Sequence, residues 1–116
     1  MIDNSGINFM SSSLEAKYNY IAIGDNSTPE VITDTELVSE LFRELSTNTI
    51  YNTNSVNDSV KYYKRFETGS AMVLREFGLF DSSTNGDIFA REVTPNIIVP
   101  NGDYLDVQFN VIIKEV

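Results

Sequence analysis

Between positions 105 and 111 apolar and polar side chains alternate without a break. Leu105, Val107, Phe109, Val111 and Ile113 share one face, and Asp106, Gln108 and Asn110 share the other. A period of two marks an extended strand, because successive side chains point to opposite sides of the pleat. A strand that is apolar on one side only belongs to an antiparallel sheet with one face on a core. The other face is wet or covered by a neighbour, which makes Asp106, Gln108 and Asn110 candidates for a contact between subunits.

A second stretch, residues 75–93, admits two parses. As a hairpin, two apolar segments flank a polar turn that ends in Asn85-Gly86, a dipeptide suited to left-handed backbone. As a calcium loop, Asp81, Ser83, Asn85, Gly86 and Glu92 stand at positions 1, 3, 5, 6 and 12 of the helix-loop-helix pattern. The second parse needs a helix on each side. Pro95 would stop the exit helix within about a turn, and Gly78 interrupts the entry segment. The residues favour the hairpin. Calcium stays as the alternative, in that loop or held by Asp81, Asn85 and Asp87 at the hairpin tip; no other cofactor is expected. In the hairpin Glu76 and Arg91 fall at roughly opposite positions. Such a pair adds up to ~1 kcal/mol if exposed and matters more for register if buried.

The remaining chain punctuates into one domain, 1–116. Residues 1–17, with Ile7, Met10 and Leu14 at helical spacing, predict a short helix, or else an extended docking arm. Tyr18 to Gly24 reads as a strand, and Asp25-Asn26-Ser27-Thr28-Pro29 as a loop. Thr33-x-x-Glu36 fits a capping box, and Leu37, Val38, Leu41, Phe42 and Leu45 form one apolar stripe. The spacing predicts a helix over about 33–45, laid on a sheet. Further strands follow from Asn48 onward. The fold class expected is mainly β (α+β): an antiparallel β-sandwich with one clear packed helix and the N-terminal helix besides.

Composition narrows function. The 17 acidic and 8 basic side chains give a net charge of −9, a field that repels phosphate backbones and argues against nucleic acid. There is neither Cys nor His, which removes thiolate metal sites, cysteine nucleophiles and the commonest general base. Carboxylate pairs such as Glu67 with Glu76 or Asp103 with Asp106 can be picked from so many acids without meaning, so an enzyme is not expected. No apolar run approaches the ~20 residues of a membrane span. The start, Met1-Ile2-Asp3-Asn4-Ser5, lacks the basic and apolar regions of a signal peptide, which predicts a product made and kept in the cytoplasm unless a larger assembly carries it out. Tyr18, Tyr20, Tyr51, Tyr62, Tyr63 and Tyr104 suit strand edges, a subunit interface or a sugar-binding surface.

The order of segments resembles a family of tailed-bacteriophage and prophage tail, tail-fibre or tail-collar proteins. The likeness rests on Tyr20-Ile21-Ala22-Ile23-Gly24-Asp25, then Thr33-Asp34-Thr35-Glu36-Leu37, Arg43, Arg75-Glu76-Phe77-Gly78-Leu79-Phe80-Asp81, and Ala90-Arg91 after a Gly-containing turn. The Glu-x-Gly-Leu-Phe segment with a downstream Ala-Arg is the family's most recognisable signature. The loop after Gly24 is less Gly- and Ala-rich than usual there, and the centre is richer in Asn and Tyr. The resemblance implies a virion structural protein of the tail, made in the host cytoplasm. Its partners would be copies of itself, as a trimer or hexameric ring, and other tail proteins. It implies no catalytic residues. A host receptor- or carbohydrate-binding module, and a capsid decoration or connector protein, are the alternative readings.

Overall fold

The computed structural model describes residues 1–114. One helix, α1 (Asn4–Lys17), precedes seven strands: β1 (Tyr20–Gly24), β2 (Glu40–Leu45), β3 (Thr47–Tyr51), β4 (Ser59–Glu67), β5 (Met72–Phe80), β6 (Ile88–Val99) and β7 (Tyr104–Ile112). They form two antiparallel sheets, one in the order β2-β1-β5-β6 and one in the order β3-β4-β7. The fold is mainly β and sandwich-like, as the alternation predicts. Ile21, Ile23, Leu74, Phe77, Leu79 and Val99 of the first sheet meet Val60, Tyr62, Phe66 and Val107 of the second in one core. Each such side chain contributes about 1.5–3 kcal/mol when fully buried. Helix α1 lies against β3 and β4 with Ile7 and Ser11 buried and Leu14 on the core, so the N-terminal segment is a helix of 14 residues and not an arm.

The four-stranded sheet is covered on both faces at its centre. Its second face carries Ala22 and Phe80, packed with Leu37 from the segment between β1 and β2. A register shift between Leu74 and Glu76 makes this possible. In a regular strand these two residues would share a face. The shift sends Leu74 into the core and Glu76 to the opposite side, as a bulge does when it re-aims a side chain.

The helix expected over 33–45 is not formed. Residues 25–39 run as an irregular loop, and Glu40–Leu45 is an edge strand paired with β1. Local preferences that would start a helix are redirected, one by a turn inside the loop and the others by tertiary contacts. The Asp34 carboxylate accepts the N–H of Val31 instead of capping a following turn. The N–H groups of Val38 and Ser39 donate to Glu76, leaving no i→i−4 ladder there. Of the apolar stripe only Leu37 is buried, while Val38, Leu41, Phe42 and Leu45 stay exposed. Propensity is worth tenths of a kcal/mol per residue, and a buried charge with unmet hydrogen bonds outweighs it.

Candidate functional site

The residues with the most constrained chemistry gather where the loop 25–39 meets the four-stranded sheet. Glu76 is 0 % exposed. Its Oε1 accepts the N–H of Val38 at 2.9 Å and Arg91 Nε at 3.1 Å; its Oε2 accepts Ser39 N–H at 2.7 Å and Asn26 N–H at 3.3 Å. Arg91 reaches on to Asp34 Oδ2 (3.2 Å) and to the Thr28 carbonyl (2.8 Å). The predicted cross-strand pair therefore exists, but on a diagonal: Glu76 stands opposite Val93, and Arg91 opposite Gly78. The pair is a hub that ties a 15-residue loop to two strands from beneath. All of its polar bonds run to the protein's own chain.

Two glycines make the room. A Cβ on Gly24 would sit 2.5 Å from the Ser39 carbonyl oxygen and 2.6 Å from Glu76 Oε2. A Cβ on Gly78 would sit 2.7 Å from the Phe80 ring and 2.9 Å from Leu37 Cδ2. Glycine inside a strand marks such close approaches. Gly24, Glu76, Gly78, Phe80 and Arg91 thus belong to a single packing arrangement.

The β5–β6 tip is held by a second arginine. Arg43, on β2, lies 3.6 Å over the Phe80 ring and donates to the carbonyls of Ser82 (3.0 Å) and Asn85 (2.7 Å) and to Glu40. Within the tip Asp81 Oδ1 accepts the N–H of Asp87 at 2.7 Å, with Asn85 and Gly86 in left-handed backbone. Strands flank this loop on both sides, so the helix-loop-helix parse is not realised. Asp81, Asn85 and Asp87 share the tip. Glu92 does not join them: it stands opposite Phe77 on β6 and lines the cavity between β6 and β7. Among the described residues no three acidic, His or Cys side chains converge on a point where a metal ion would sit.

Asp106, Gln108 and Asn110 do share the outer face of the three-stranded sheet, and all three are exposed. Asp106 takes Arg65 in a two-point contact (2.8 and 3.1 Å) and the Tyr63 hydroxyl at 2.8 Å. Those hydrogen bonds, first from Arg65 and then from Tyr63, hold its carboxyl down at about 2. Asn110 Oδ1 accepts from Gln108 and from the Tyr51 hydroxyl. Thr49, Tyr51, Lys61, Gln108 and Asn110 line a shallow depression there of about 310 Å³.

No sequence pattern singles out Asp58. Near the end of the β3–β4 loop, it accepts the N–H groups of Thr53, Asn54 and Ser55 and the Ser59 hydroxyl. Burial pushes its carboxyl up, but the three backbone donors and Ser59 outweigh it and bring the pKa from 3.8 to about 2. The Asn and Ser residues of 52–57 mark a turn there but not the carboxylate that holds it.

No family model and no curated protein matches the chain.

Proposed function

We propose that the chain is a non-enzymatic structural subunit of a tailed-phage virion, associated with the tail, fibre or collar, and that it works by contact with its own copies and with neighbouring tail proteins. The observation that carries this reading is the open side of the sandwich. β6 and β7, of 12 and 9 residues, are both terminal strands of their sheets. Between them lies a cavity of about 380 Å³ lined by Phe77, Ile97, Leu105, Val107 and Phe109 with a polar rim of Glu92, Asp106 and Gln108. The β7 edge, on which no strand pairs among the described residues, lies beside this apolar groove; such an edge invites a neighbouring strand, and proteins that stay alone blunt it. The family likeness supports the same reading, since its signature residues are those that pin the loop 25–39. The proposed place of action is the virion tail, after synthesis in the host cytoplasm. Gold-labelled antibody against the purified chain, applied to phage particles from the host that carries the sequence, tests it. Label on tails is expected, and particles free of label contradict the reading.

One observation favours a second reading, a carbohydrate- or receptor-binding module. The depression around Tyr51 and Lys61 offers a ring, an ammonium and two amides on one flat face. A glycan array separates the two: a structural subunit binds nothing on it.

A further inference from the structure

We infer that β7 is the strand through which two copies of this chain join, pairing antiparallel with β7 of the second copy about a two-fold axis. The inference deepens the self-association proposed above and rests on it. Four strands end the two sheets: β2, β6, β3 and β7. β6 contains Pro95, which has no N–H to offer a ladder. β2 is six residues long and carries Glu40, Arg43 and Glu44, the arginine already committed to the hairpin tip. β3 has five residues and lies against α1. β7 has none of these guards. It runs nine residues without Pro, Gly or Lys, and its one charge, Asp106, is already matched by Arg65. Among the described residues no strand pairs with its outer edge.

The strand is also self-complementary. A two-fold centred on Gln108 brings all nine residues into register and keeps core side to core side. On the core side Leu105 meets Val111 and Val107 meets Phe109 of the second copy. On the wet side Asp106 meets Asn110, Gln108 meets its counterpart, and Tyr104 meets Ile112. Tyr104 and Ile112 are large apolar residues left 57 % and 45 % exposed on that otherwise polar face. This register gives each a cross-strand partner, an aromatic with a β-branched residue. Centring on Asp106 instead would set two carboxylates face to face. The pairing makes one six-stranded sheet and carries Leu105 and Phe109 of the second copy toward the groove beside β6. A ring of higher order would then be built from such pairs through another surface.

The experiment is a charge swap at the axis. Gln108 is exposed, so Gln108→Lys and Gln108→Glu leave the core untouched, and circular dichroism confirms that each variant is folded. Sedimentation is run on the wild type, on each variant alone, and on a one-to-one mixture. Wild type is expected at twice 13.0 kDa or a multiple of it. Each variant alone is expected at 13.0 kDa for a pair, or at half the wild-type mass for a larger assembly, with the mixture restored, because like charges meet at the axis and opposite ones attract. Variants that keep the wild-type mass overturn the β7 pairing while leaving self-association intact. A mixture that stays dissociated overturns the register centred on Gln108. A wild type that is monomeric throughout overturns both.

Discussion

At the scale of single residues, the Glu76 carboxylate governs most of what surrounds it. It is buried, it faces one guanidinium, and three backbone N–H groups depend on it. Glu76→Gln keeps the shape but removes the charge and gives the site donors where it needs acceptors. Breaking a buried pair by removing one partner costs about 3–5 kcal/mol. Chemical denaturation is expected to show a loss of that size, whereas Glu92→Gln, at an exposed position, is expected to shift stability by under about 0.5 kcal/mol. Asp58 supplies a second prediction. Its folded pKa, about 2, lies below its ordinary 3.8. The stability it contributes is therefore complete above pH 3.8 and is lost as pH falls toward 2. Acid titration of unfolding should show that fall in the wild type and a flatter limb over the same window in Asp58→Asn.

At the scale of elements, the loop 25–39 is the part that sequence patterns misdescribe, and the reason is physical. Leu105 to Val111 alternates because one side of β7 faces the core and the other faces water, so its period reports its environment directly. Residues 33–45 show a helical stripe, yet only Leu37 is used as an apolar anchor; the partners that override the helix come from β5 and β6, some 40 to 60 residues away. Periodicity does not see contacts of that range. The hairpin, the Glu76–Arg91 pair and the shared face of Asp106, Gln108 and Asn110 were legible because each depends on local pattern. The roles of Asp34, Thr28 and Arg43 were not; glycine inside a strand pattern, as at Gly24 and Gly78, is the sequence signal of such a close approach. The anchoring predicts that Gly78→Ala, which drives a methyl against Phe80 and Leu37, destabilises by about 1–3 kcal/mol. It should also raise amide hydrogen exchange at Val38 and Ser39 more than within β4. Equal protection in the variant and the wild type would show that the loop is held by something else.

At the scale of the whole molecule, charge and shape pull in opposite directions. A chain of net charge −9 repels its copies, while the open side between β6 and β7 and the unguarded β7 edge draw them together. The pairing proposed for β7 uses backbone bonds and apolar contacts and no ion pair between copies. Salt should therefore strengthen association by screening the repulsion, the reverse of an interface built on opposite charges. The most direct test of the central claim, that this chain acts by assembling, is the mass of the purified protein across a wide range of concentration. A defined multiple of 13.0 kDa is expected, growing in population with concentration and with salt. A single species of 13.0 kDa at every concentration would contradict it.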